Sequence, residues 1–134
     1  MSNMKGFTTL VASTAPQTLT TDFAILGEQF NQPDVNQCCL FLNYTAGTED
    51  GLSVVLRHED TNDDGENYNQ PAFEAVGGGE SLVTEEVVKI AKAQAGNWMI
   101  PFDPKGRKKW SVFVEGYGSA ASGTVSAFVR YTDI

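Results

Sequence analysis

KKWSVFVEGYGSAASGTVSAFVRYTDI, residues 108–134, closes the chain and decides how the rest is read. Two runs rich in β-branched and aromatic residues flank a small, flexible segment, Gly118 to Gly123. That pattern predicts two antiparallel strands joined as a hairpin. Side chains alternate along a strand, so Trp110, Val112 and Val114 share one face, and Val125, Ala127, Val129 and Tyr131 share another. Both sets fall on one side of a hairpin when paired residue numbers sum to an odd value; a one-residue slip would turn one set to solvent. Centring the loop pairs Trp110 with Tyr131, Val112 with Val129 and Val114 with Ala127. Phe113 then lies beside Phe128 on the second face, in the company of Ser111, Glu115, Ser126 and Arg130. Exposed, Phe113 and Phe128 centre an association patch; covered by a loop or by the N-terminal segment, they are core.

Working outward, further strand patterns appear. Gln37–Thr45 is apolar on both faces at its centre, with Cys39 and Phe41 on one side and Cys38, Leu40, Leu42 and Tyr44 on the other, as in an interior strand. Gly51–Glu59 alternates Leu52, Val54, Leu56 and His58 against Ser53, Val55, Arg57 and Glu59. Asp22–Leu26, Tyr68–Phe73 and Asn97–Phe102 are shorter strand candidates, the second weakened by Pro71. Residues 84–95 fit a helix capped by Thr84 or a strand; the β patterns on both sides favour the strand. Eight or nine short strands with Gly-rich and polar turns predict an all-β, antiparallel β-sandwich of jelly-roll type. Residues 1–21 read as an N-terminal arm or edge strand, and residues 22–134 as a single β-sandwich domain.

The 134 residues suffice for one core without a metal or disulfide. A net charge of −8 and a pI near 4.4 disfavour nucleic acid as a partner, since phosphate contacts need Lys and Arg. No run is long and apolar enough for a membrane helix, and the N-terminus makes a poor signal peptide, so the cytosol is the expected place of synthesis. The two cysteines, Cys38 and Cys39, are adjacent; on a strand they point to opposite faces and do not bond each other.

The acidic loop Asp60–Glu66 matches the first half of a calcium-binding loop at Asp60, Asn62, Asp64 and Gly65, but Pro71 stands where the bidentate Glu belongs. The plain reading is a solvated acidic turn. His58, the lone histidine, has no second ligand near it in sequence. Lys105, Arg107, Lys108 and Lys109 gather four of the nine basic residues in one turn, which is either solvated or docks on an acidic partner surface. No nucleophile elbow, phosphate loop, HExxH or CxxC is present, so no catalytic residue and no cofactor is expected. Trp98, Trp110 and Tyr117 keep a carbohydrate-binding module open as a distant alternative, with stacking surfaces for sugar rings.

From Leu40 onward, over about two-thirds of the chain, the sequence resembles small structural proteins of tailed-phage virions. The resemblance runs through ordered blocks: Phe41–Asp50 as a strand ending in YT-x-G and an acidic turn, Leu52–Leu56 with its Asp-Gly loop and Tyr68, Gly96–Phe102 as G-x-(aromatic)-x-IP, and Gly123–Val129 as the closing GT-(apolar)-x-A strand. The basic turn, and Asn62 in place of serine before Asp63, depart from the pattern and put shared surface contacts in doubt. The resemblance implies a non-enzymatic capsid decoration (cement) protein, located on the virion surface, that binds and stabilises the major capsid protein as a homo-oligomer, a trimer. A neck, head–tail or tail-associated protein is the nearest alternative.

Overall fold

The computed structural model describes residues 3–61, 67–71, 88–104 and 108–133, with side chains over 5–57, 88–104 and 108–133. Among the described residues, eleven strands run in chain order: β1 (Asn3–Val11), β2 (Gln17–Thr18), β3 (Ala24–Ile25), β4 (Phe30–Asn31), β5 (Gln37–Thr45), β6 (Gly51–Thr61), β7 (Asn67–Pro71), β8 (Val88–Ala91), β9 (Gly96–Phe102), β10 (Lys109–Tyr117) and β11 (Thr124–Asp133). The count exceeds the expected eight or nine because β2, β3 and β4 are two-residue pieces on the sheet margins. The candidate strand–or–helix segment resolves, in its described part, into β8 and a 3-10 turn at Lys92–Gln94.

Every pairing is antiparallel, and the strands form two sheets. The first sheet has the order β1-β11-β5-β9, with β2 also on β11; the second has the order β3-β10-β6-β7, with β4 on β10 and β8 on β6. The chain crosses from sheet to sheet repeatedly, and its last strand lies beside its first. That is the double Greek key of a jelly roll, the architecture the strand pattern predicts.

The terminal hairpin is not there. β10 pairs with β6, Val112 opposite Leu56, while β11 pairs with β5, Val129 opposite Leu40. The segment between them carries the chain from one sheet to the other. The alternation itself holds: Trp110, Val112 and Val114 are buried, as are Val125, Ala127, Val129 and Tyr131. They meet across the core instead of side by side. Either arrangement buries both sets, so burial periodicity does not separate them. Loop length points the right way: hairpin loops are mostly 2–5 residues, and stacked sheets lie ~10 Å apart.

Around Trp110, the core gathers Leu26, Leu40, Leu52, Leu56 and Ile90, all fully buried. The Trp110 ring tilts against Phe102 at 5.0 Å. β1 pairs with β11 from Asn3 opposite Asp133 to Val11 opposite Ala127, with bulges at Lys5 and Leu10, so this stretch is an edge strand of its own sheet. Asp60, expected in a loop, lies within β6 with Tyr68 of β7 opposite.

Candidate functional site

The outer face of the first sheet is built by register. Thr9 lies opposite Phe128, Phe128 opposite Phe41, and Phe41 opposite Met99, one row across four strands. Phe128 and Phe41 stack at 4.9 Å with rings 1° from parallel, and Phe7 meets Phe128 edge-on at 6.1 Å. In the next row Phe7 faces Arg130, and Arg130 faces Cys39. The Arg130 guanidinium sits over the Phe41 ring, 4.6 Å from its centroid. A cation over an aromatic face keeps its charge available while covering apolar surface. Phe7 and Met99 remain 61% and 66% exposed. An open groove of about 730 Å³ runs along this face, floored by Phe41 and Phe128 and walled by Ala12, Ser13 and Met99.

The charge of this face departs from that of the chain. The outward positions of β1, β11, β5 and β9 hold Arg130 and no Asp or Glu. Lys5 lies at its rim, 4.0 Å from Asp133. The chain as a whole carries a net charge of −8.

The structure separates the residues expected to act together. Phe128 and Arg130 belong to the face just described. Phe113 lies on the outer face of the other sheet, opposite Val55 and Ile25, with the Arg57 guanidinium 5.4 Å from its ring centroid. The expected Phe113–Phe128 pair is therefore divided between the two outer surfaces, because β10 and β11 belong to different sheets. Lys108 is exposed and Lys109 half-buried beside Asn31, and each already has an interaction partner. Lys105 and Arg107 lie outside the described residues, as do Asn62 and Asp64 of the calcium candidate. Among the described residues, no cluster of three or more His, Cys, Asp or Glu is placed to hold a metal. Of the aromatic residues considered for sugar stacking, Trp110 is fully buried, Trp98 is half-buried with Nε1 donating to the Gln94 carbonyl at 2.9 Å, and Tyr117 carries the Lys89 ammonium over its ring. Trp110 is therefore withdrawn from any sugar platform.

One residue went unnoticed in the sequence. Glu49, placed in a polar turn, is fully buried. Its carboxylate accepts the Tyr44 hydroxyl and the backbone N–H groups of Gly47, Ser122 and Gly123, at 2.7, 2.7, 3.0 and 2.7 Å. Burial alone would raise its pKa, but these four donors outweigh it and hold the carboxyl down at about 2. Glu49 thus ties the β5–β6 turn to the segment crossing between β10 and β11. Nothing in Thr-Glu-Asp-Gly marks this glutamate as different from its exposed neighbour Asp50.

The fold defines the class: an antiparallel jelly-roll β-sandwich. The SPBc2 prophage-derived protein YomS has a similar structure, covering 99% of this chain and 96% of its own, with a TM-score of 0.52 at 12% identity. At that identity the likeness establishes the fold alone. Infectious bursal disease virus, Gx strain, gives a TM-score of 0.45 at 12% identity over 98% of this chain but 32% of that chain. The VP2 subviral particle of the same virus gives 0.44 at 10% identity, over 98% and 33%. No protein-family model and no curated protein sequence matches the chain.

Proposed function

We propose that this chain is a non-enzymatic structural component of a tailed-phage virion, of the decoration type, which binds the major capsid protein and holds neighbouring capsomers together. The observation that carries the proposal is the exposed aromatic face of the first sheet, with no Asp or Glu at its outward strand positions, on an acidic chain. An apolar surface bearing Phe7, Phe41, Phe128 and Met99 is costly to leave in water and favours association. The sequence blocks that resemble those of small phage virion proteins support the same reading. The fold by itself does not: jelly rolls also serve lectins and cupins. In this proposal the chain works as a homo-oligomer, a trimer, on the outer shell, and the basic turn at Lys105–Lys109 meets acidic capsid surface.

Copy number tests it. In virions purified from the phage that carries this gene, quantitative mass spectrometry should find the chain in capsid-like abundance, on the order of hundreds of copies, as repeated shell symmetry requires. About a dozen copies would instead place it at the neck or tail. Its absence from the particle would overturn both readings.

A further inference from the structure

The aromatic face, with Arg130 and no Asp or Glu at its outward strand positions, asks for a partner of a particular kind. Two copies meeting through this same face would bury an Arg130 from each, with no Asp or Glu at the outward strand positions of either to meet it. A charge buried without a partner is costly, so a self-complementary pairing is disfavoured. The face calls instead for apolar side chains flanked by carboxylates.

The chain presents such a surface at the edge of the second sheet, where Gly27, just after β3, packs against the Leu10 backbone of β1. β3 is the edge strand of the second sheet and pairs only with β10. Phe23 and Ile25 point outward there and are 45% and 37% exposed. Asp22 precedes them and Glu28 follows, both exposed. Between Lys5 and Arg57 the sequence contains no Lys or Arg at all. Among the described cations, Arg57 lies two strands further in and already over Phe113, and Lys109 lies on β10 beside Asn31 of β4, with an interaction partner of its own. The Ile25 carbonyl of this edge already accepts from Gln17 Nε2 at 2.8 Å, so the edge offers its side chains to a neighbour.

We infer that copies of this chain associate head to tail, the acidic β3 edge of one copy (Asp22, Phe23, Ile25, Glu28) seated on the Phe7–Phe41–Phe128–Met99 face of the next, with Arg130 meeting Asp22 or Glu28. Such an interface joins two different patches. It closes into a ring when the rotation between copies permits, and a trimer is one such closure. The inference gives a surface to the self-association within the proposed function, and its assay needs no capsid, so either one fails independently.

The experiment is sedimentation velocity on the full chain over the micromolar range, at low and at near-molar salt. The wild type should form a discrete oligomer that weakens with salt. Arg130→Glu should raise the dissociation constant by about tenfold or more, and Asp22→Lys with Glu28→Lys should do the same. The chain carrying all three reversals should regain association. Met99→Asp, at an exposed position of the same face, provides a second variant should Arg130→Glu disturb folding, and an unchanged far-UV circular dichroism spectrum checks each protein. A wild type that stays monomeric throughout overturns the inference. So does association indifferent to Arg130→Glu and Met99→Asp, or a triple variant that fails to recover, which would assign the face to a different protein.

Discussion

The carboxylate of Glu49 accepts the backbone N–H of Gly123 at 2.7 Å, across 74 positions of sequence. That contact fixes the point where the chain, having left one sheet after β10, enters the other at β11. The neighbouring Leu19 N–H donates to the Gly123 carbonyl at 2.8 Å, so both polar groups of this glycine are held. The topology at this end of the sandwich is therefore secured by one buried charge and its donors.

The first prediction concerns acid. The Glu49 carboxyl is depressed from 4.5 to about 2, so its contribution to stability is complete above 4.5 and lost as pH falls toward 2. The displacement corresponds to about 3 kcal/mol. Glu49→Gln should lower the unfolding free energy near neutrality by a similar amount, about 3 kcal/mol, and flatten its pH dependence between about 2 and 4.5. Urea titrations at several pH values measure both; an unchanged acid limb in the variant would show that Glu49 does not supply it.

Gly123 itself offers no room. A Cβ there would overlap the Glu49 carboxylate and stand 2.7 Å from the Thr45 carbonyl oxygen. Gly123→Ala should destabilise by about 1–3 kcal/mol, the usual cost of overpacking. The denaturant midpoint should fall with little change in slope. A neutral outcome would mean that the loop shifts freely and is not held as described.

Crosslinking distinguishes the jelly roll from the hairpin that the terminal sequence suggests. Val112→Cys with Val129→Cys should not form a disulfide, because facing sheets lie ~10 Å apart and the bond needs Cα atoms within about 7 Å. Phe41→Cys with Phe128→Cys, direct neighbours on adjacent strands, should close readily. Peptide mapping by mass spectrometry separates these bridges from any made by Cys39. A Val112–Val129 crosslink in the folded protein would restore the hairpin.

The two native cysteines should differ in reactivity. Burial, with Asp103 and Cys39 adding to it, pushes the Cys38 thiol up from 9.0 to about 12, and its Sγ donates to Gln32 Oε1 at 3.1 Å. At pH 9 that displacement alone should slow its alkylation about five-hundredfold relative to the unfolded chain. Cys39, half-buried on the outer face, should react first. Equal rates of iodoacetamide labelling in the native protein would contradict the burial of Cys38.

Alternation along the strands made the core residues legible: Trp110, Val112, Val114, Val125, Val129 and the even-numbered face of Gln37–Thr45 are buried where the pattern places them. It also made the jelly-roll class legible, from the number and spacing of short apolar runs. Part of the aromatic face was visible too, since parity puts Phe128 with Arg130 opposite the core set of its strand and puts Cys39 with Phe41 on one face, though not which face of Gln37–Thr45 turns outward. Phe7 and Met99 were not joined to them, because nothing local says that β1 and β9 flank β11 and β5.

By itself, then, the sequence determined which side chains point inward and that the strands are antiparallel pieces of a sandwich, since both follow from a two-residue period acting over a few ångströms. Tertiary structure decided which strands are neighbours. That choice turned a supposed hairpin into two opposed sheets, parted Phe113 from Phe128, brought Phe7, Phe41, Phe128 and Met99 onto one face, and buried Glu49 under a loop 74 residues away. Strand partnership depends on contacts between distant segments and on where each crossing is anchored, and the period of a single strand is the same for every partner it might take.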